Sequence, residues 1–539
     1  MWRDSIAVTA ATASRDGASR AAVRFRAMSG IAAVSAAAIS LLLGANRSFW
    51  FDEGYSVALA DRSWGELVGL TAVDVHPPLY YMALKAWIGV FGDAAWSYRA
   101  LSAVFLGLTV LCGAWVLGML IGSRRTAMAL PLLALSPMLL RYGYEVRMYS
   151  MAAFWCMLGT GLLLKAVRAD AGRPRRERIA WWALYALVVA LGMYTLYLTA
   201  LTWATHAALL AARSWPNRRR GARAWRWMLA YAGSVALYLP WMPAFFGQLD
   251  HPSLPGLNTR MNLSTLADLT GALFAGVDAS HTSTIESCAI LMALVSLAVL
   301  AAGIARDARR GTRRGAPADR DARALGLTAV MFLGPLGLVV AYTALAEWVG
   351  GGFFMIHYIV PFTPFLACAA IVAVTSDRRD DDAEGRLRMR ATAWATMLIL
   401  SLVGVANAGT IGNYNFEQRY VPRNDAVGAA VACSPDEPVV AAQDYAYIDM
   451  YFYFRGCGAG GYLLLKSGDV AYRGGYAPIV DMDVQIRSLS DLHVERFTLV
   501  SADTDPSALP SSHTYAIDGS PRKVGNRLIA TYQRLGQNA

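Results

Sequence analysis

Apolar runs of roughly 20 residues recur along this chain from near residue 28 to near 410, each long enough to cross about 30 Å of hydrocarbon. Short polar segments separate the runs, and the arginines gather in alternate ones. Cytoplasmic loops collect Lys and Arg, so these arginines set the direction of each crossing. Arg3, Arg15, Arg20, Arg24 and Arg26 precede the first run, about Met28 to Leu43, and place residues 1–27 as a cytoplasmic tail. The leader is long, and no small-residue cleavage site precedes Asn46-Arg47, so the first run reads as a retained span. Further spans are expected at about 98–121, 126–140, 148–166, 180–197, 199–213, 227–246, after Glu286, and at about 325–345, 355–375 and 391–410. About eleven crossings put every strongly basic loop on one side. Those loops are Arg124-Arg125, the group from Arg168 to Arg178, Arg213 with Arg218-Arg219-Arg220, the group from Arg306 to Arg314, and Arg378-Arg379.

Residues 411–539 break the pattern. Short runs such as Pro438-Val439-Val440-Ala441, Gly461-Tyr462-Leu463-Leu464-Leu465 and Phe497-Thr498-Leu499-Val500 predict strands between helical stretches. The expected architecture is a polytopic α-helical membrane protein. It has a transmembrane region over 28–410, surface helices in a first outer loop over 46–97, and a small extracytoplasmic α/β domain over 411–539. Composition agrees: 56% of residues are hydrophobic and 16% charged, against about a quarter charged in soluble domains. The net charge of +11 sits in loops between spans rather than on a basic face with interleaved aromatics, which argues against a nucleic-acid partner. Cys112, Cys156 and Cys368 lie inside apolar runs and Cys288 begins one, where they act as small hydrophobes. Cys433 and Cys457 fall in the outer domain, where a disulfide can persist. No spacing of Cys and His points to zinc.

The first outer loop carries the chemistry. Asp52 and Glu53 stand in Ser48-Phe49-Trp50-Phe51-Asp52-Glu53-Gly54-Tyr55, two adjacent carboxylates wrapped in aromatics. Arg62 to Val68 reads as an interfacial amphipathic helix. His76-Pro77-Pro78 then starts a surface helix bearing Tyr80, because Pro is tolerated in a first turn. The segment Arg141-Tyr142-Gly143-Tyr144-Glu145-Val146-Arg147 places charges beside hydrocarbon, where ionisable groups are costly and usually functional. Arg141 and Arg147, with Glu145 and Tyr149 beside them, suit a phosphate head group, which guanidinium binds by paired hydrogen bonds. His357 and Tyr358, at the outer end of the tenth span, suit a phosphate or sugar, or equally an aromatic belt.

At these residues the chain resembles the GT-C glycosyltransferases of the family-39 type, which includes protein O-mannosyltransferases and lipid A aminoarabinose transferases. The resemblance rests on Trp50-Phe51-Asp52-Glu53, His76-Pro77-Pro78-Leu79-Tyr80-Tyr81 and Tyr144-Glu145-Val146-Arg147-Met148-Tyr149. It covers about the first 200 residues by motif and the rest by architecture. It implies an extracytoplasmic site in the bacterial inner membrane, a polyprenyl-phosphate-linked sugar as donor, and an inverting displacement onto a lipid, glycan or protein hydroxyl. Asp52 would be the base, and Glu53 would position the acceptor or Asp52 itself. Arg141 and Arg147 would stabilise the leaving phosphate, and His76 would orient a carboxylate or the acceptor. The outer pairs could also take a divalent cation, though no ligand spacing requires one. Two positions depart from the family pattern: Tyr194-Thr195-Leu196-Tyr197, where many relatives carry a His, and His357, where many carry an Arg. A transporter or flippase for a lipid-linked sugar is the competing reading. It would call for charged groups near the midplane, and these spans are nearly free of charge. A third reading, a sensor anchored by its spans, leaves eleven crossings unexplained.

Overall fold

The computed structural model describes residues 2–170, 173–214, 225–249, 262–279, 281–313, 320–348, 354–376, 383–410, 423–458, 460–466, 477–479 and 484–536. The basic runs at Arg218-Arg219-Arg220, Arg314 and Arg378-Arg379, and much of the loop after Gln248, lie outside the described residues.

Among the described residues nine helices are long and apolar enough to cross a membrane, from Arg20–Gly44 to Leu387–Ala408. The chain opens with α1 (Trp2–Gly44), then lays three short helices α2 (Phe51–Ala60), α3 (Trp64–Ala72) and α4 (Leu79–Phe91) over one end of the bundle. Local chemistry sets their limits. Ser63 and Glu66 form a reciprocal capping box at the start of α3. Pro77-Pro78 precede α4, and Gly92, at φ 81°, ends it in a conformation that favours glycine. The long helix α5 (Ala95–Ile121) then packs on α1.

The single third span expected near 126–140 is not one helix. It is α6 (Ser123–Ala129), α7 (Pro131–Ala134) and α8 (Pro137–Gly143). Pro131 and Pro137 explain the breaks, since each lacks an N–H and crowds the preceding turn. Irregular backbone at membrane depth survives only when buried in protein, and Ser136 to Ser150 are buried without interruption.

The bundle continues with α9 (Tyr149–Ala169), α10 (Arg175–Thr195), α11 (Thr199–Ser214), α12 (Trp225–Tyr238), α13 (Met242–Leu249), α14 (Leu263–Ala275), α15 (Thr284–Arg313) and α16 (Arg320–Trp348). A 3-10 turn over Ile356–Phe362 leads into α17 (Thr363–Thr375), and α18 (Ala383–Thr410) completes it. At 16 residues, α11 is shorter than the nine long helices.

The C-terminal part is an α/β domain. After α19 (Asn424–Ala430), β1 (Val439–Ala441) runs into α20 (Asp444–Phe454) and returns as β2 (Tyr462–Leu465), parallel to β1. With β3 (Gln485–Ile486), β4 (Arg496–Ser501), β5 (Tyr515–Ile517), β6 (Arg522–Val524) and β7 (Arg527–Arg534), the strand order is β3-β2-β1-β4-β7-β5, with β6 also on β7. The β3, β2, β1 and β4 strands are parallel, and β7 is antiparallel to β4, β5 and β6. Cys433 and Cys457 are paired as a disulfide beside this sheet. Helix α20 packs its far side on α2, so the domain lies against the segment carrying Asp52.

Candidate functional site

Asp52 and Glu53 occupy the first turn of α2, where free backbone N–H groups favour negative charge. Adjacent residues on a helix point about 100° apart, and the two carboxylates separate accordingly. Glu53 turns inward and is 2% exposed. Its Oε2 meets Arg99 Nη2 at 3.2 Å, and its Oε1 accepts from Arg99 Nε at 3.3 Å and from the Val146 N–H at 3.2 Å. Arg99 also donates to the Gly44 carbonyl and lies over the Phe49 ring. Both oxygens of this buried carboxylate are thus engaged, by Arg99 and by the Val146 N–H.

Asp52 faces the other way. Its Oδ2 lies 3.5 Å from Arg147 Nε, with 23% of its side chain exposed. Glu145 and Asp74 nearby are 1% and 0% exposed. Asp52 is therefore the carboxylate of this group that an incoming molecule can reach.

Arg147 is the hub. Nη1 donates to Tyr81 Oη at 3.0 Å and Nη2 meets His76 Nε2 at 2.9 Å. A guanidinium only donates, so His76 Nε2 accepts and the ring proton sits on Nδ1. Burial, and then the charge of Arg147, hold the His76 pKa well below its usual value, so the imidazole is neutral. The Arg147 carbonyl accepts from Ser102 Oγ at 3.3 Å. On the far side Tyr55 donates to the Asp74 carboxylate, which also accepts from the Val75 N–H at 2.6 Å. Burial, then Asp74, push the Tyr55 pKa well up, so that hydroxyl stays protonated.

Tyr80, read as a substrate contact, is fully buried with its hydroxyl 3.0 Å from Ser102 Oγ. Its neighbour Tyr81 reaches Arg147 instead, again because one residue along a helix is a turn of about 100°. Arg141, in the last turn of α8, and Glu145, just beyond it, pair at 3.6 Å, with Arg141 over the rings of Tyr142 and Tyr144. The Tyr149 ring lies 5.0 Å from His357, which lies 4.9 Å from Tyr358. The structure thus groups Asp52, His76 and Arg147 at one centre. Arg141, Glu145, Tyr149, His357 and Tyr358 form the adjoining wall, linked through Tyr142, whose ring is 6.3 Å from His357. Among the described residues, no group of three or more His, Cys, Asp or Glu side chains could hold a metal ion together.

Reading the sequence missed Arg99, Tyr81, Tyr55 and Asp74. Arg99 carried a usable signal, a single cation at the head of an apolar span. Tyr81 and Tyr55 carried none, since nothing in their spacing tells which ring turns toward Arg147.

No family model matches the chain, and no curated protein matches it in sequence. Solved structures do match in fold. ArnT from Cupriavidus metallidurans bound to undecaprenyl phosphate superposes with a TM-score of 0.57 at 15% identity, over 95% of this chain and 97% of that one. The same protein in the apo state gives 0.56 at 13% identity, over 96% and 98%. The Archaeoglobus fulgidus oligosaccharyltransferase in the apo form gives 0.47 at 12% identity, over 88% and 69%. At such identities the likeness to ArnT is one of fold alone, and it runs over nearly the whole length of both chains.

Proposed function

We propose that this chain is an integral-membrane glycosyltransferase of the family-39 type. It moves a sugar from a polyprenyl-phosphate donor to an acceptor hydroxyl at the extracytoplasmic face, with inversion. The observation that carries the reading is the pairing of one accessible carboxylate, Asp52, with a buried arginine, Arg147, at 3.5 Å. It is supported by a fold shared with a protein solved with undecaprenyl phosphate.

The chemistry follows from the residues. The acceptor oxygen attacks the anomeric carbon, and the bond from that carbon to the phosphate oxygen breaks. The acceptor proton passes to Asp52, which is placed to take it late in the transition state. The leaving lipid phosphate gains one negative charge, which Arg147 meets as it develops. The neutral His76 and Tyr81 hold two of the Arg147 nitrogens, and the third, Nε, lies 3.5 Å from Asp52. Arg141, Glu145, Tyr149, His357 and Tyr358 line the adjoining wall for the phosphate and the sugar. Adjacent carboxylates on one helix turn cannot flank a sugar ring, which argues against a retaining pair. Glu53 is a positioning group: through Arg99 and the Val146 N–H it holds the turn bearing Arg147 against α2.

The test is product analysis in reconstituted membranes supplied with labelled polyprenyl-phosphate sugars. Wild-type protein should transfer label to an acceptor, and Asp52→Asn should not. Near-normal turnover by Asp52→Asn removes the base. Labelled donor carried across the bilayer without transfer favours the flippase reading.

A further inference from the structure

We infer that Asn424, in the C-terminal domain, is a positioning residue for Asp52. The inference rests on the glycosyltransferase reading for its kinetic part only.

Phe49 lies three residues before Asp52, just ahead of α2. Its N–H donates to Tyr453 Oη at 2.8 Å, and its carbonyl accepts from Asn424 Nδ2 at 2.8 Å. Both backbone polar groups at the entry to the catalytic helix are therefore satisfied by the C-terminal domain. Asn424 is 0% exposed, and its Nδ2 also donates to the Asp449 carbonyl on α20 at 3.1 Å. Asp449 in turn forms a buried ion pair with Arg527 on β7. A continuous polar chain thus runs from the sheet to the residues preceding Asp52.

Packing reinforces it at different atoms. Phe49 stacks on Phe452 with centroids 4.0 Å apart, and Phe51 stacks on Tyr445 at 5.0 Å. Gly54 lies so close to α20 that a Cβ there would come 2.1 Å from the Ile448 carbonyl oxygen. Stacked rings tolerate sliding, whereas hydrogen bonds near 2.8 Å specify a register. A roll of α2 by a fraction of a turn would swing Asp52 away from Arg147, because side chains leave a helix about every 100°. The amide of Asn424 supplies two donors to two carbonyls. A carboxylate of the same shape would set one oxygen, in the place of Nδ2, against both carbonyls, so Asn424→Asp removes the contact without opening a cavity.

The experiment uses the full chain in lipid nanodiscs, with Asn424→Asp and the milder Tyr453→Phe, which keeps the ring and deletes the hydroxyl. Three quantities are read: amide hydrogen exchange over residues 48–60, kcat and KM for sugar transfer, and direct binding of undecaprenyl phosphate. Exchange over 48–60 should quicken in both variants. In Asn424→Asp, kcat should fall about ten- to a hundredfold, as a misplaced group of about 1 Å allows. Lipid-phosphate binding and donor KM should stay within about twofold of wild type, since Arg147 is untouched. Faster exchange with unchanged kcat overturns the positioning role, and so does unchanged exchange. An equal loss in lipid-phosphate binding would mean general loosening and also overturns it. If wild-type protein transfers no sugar from any donor, the functional reading fails, and the exchange arm alone decides whether Asn424 anchors the helix.

Discussion

Replacing Asp52 with Asn should abolish transfer and yet tighten the binding of the lipid phosphate. All three nitrogens of Arg147 have a neighbour: Tyr81 and His76 each take an N–H from one Nη, and Asp52 faces Nε at 3.5 Å. A phosphate arriving at this arginine must share it with Asp52 and meet a like charge beside it. Two unit charges 3.5 Å apart interact by about 5 kcal/mol at an effective dielectric of about 20. Asp52 keeps 23% exposure, so solvent screens much of this, and a net of about 1–2 kcal/mol is the sounder figure. Each 1.4 kcal/mol is about tenfold in affinity. Asp52→Asn should therefore bind undecaprenyl phosphate about 5- to 30-fold more tightly than wild type, and the gap should narrow with added salt. The assay is calorimetric titration of the full chain in nanodiscs. Gly69→Ala serves as control, because nothing lies within 4 Å of its added carbon. Unchanged or weaker binding by Asp52→Asn would refute the idea that carboxylate and phosphate compete for one guanidinium.

Gly54→Ala should push α2 off α20, costing about 1–3 kcal/mol as overpacking does. Gly69→Ala, with nothing within 4 Å of its added carbon, should be neutral or mildly stabilising; thermal unfolding reads both. Arg99→Met should cost about 3–5 kcal/mol by leaving Glu53 buried and unpaired, and Arg99→Met with Glu53→Gln should recover most of it. The His76 pKa is lower in the folded protein than in the unfolded chain. Its stabilising share is thus present above about pH 6.5 and is lost as pH falls toward the folded value. Wild-type Tm should drop on acidification through that window, and His76→Gln should flatten the dependence. Removing the Cys433–Cys457 bond, which closes a separation of 24 residues, should cost about 3 kcal/mol. A reducing agent should lower the wild-type Tm and leave that of the Cys433→Ser, Cys457→Ser variant unchanged.

How much was legible beforehand differs from residue to residue. Long apolar runs announce crossing helices because every backbone group in hydrocarbon must be satisfied within its own helix, and nine such helices are present among the described residues. The run near 126–140 was misread as one helix, because hydropathy does not register that Pro131 and Pro137 interrupt it. Short apolar runs in the tail foretold strands at Val439–Ala441, Tyr462–Leu465 and Arg496–Ser501. Their order in the sheet carried no such local signal, because strand pairing is a contact between distant segments.

The candidate site divides in the same way. Charge beside hydrocarbon is expensive wherever it occurs, so Asp52, Glu53, Arg141, Glu145 and Arg147 stood out from residue type and position alone. What each one does depends on what it faces. Asp52 and Glu53 are neighbours of equal chemistry, and the sequence treats them almost alike. Only the packing of α2 between α20, Arg99 and the turn before α9 separates a partly exposed carboxylate from a buried one. Tyr80 and Tyr81 are parted likewise, by the rotation of α4. The sequence by itself determined that this chain spans a membrane many times and gathers costly charges at a few places. The tertiary structure decided which charges meet, because an ion pair between residues 52 and 147, or a hydrogen bond between residues 49 and 424, exists only after distant segments have packed.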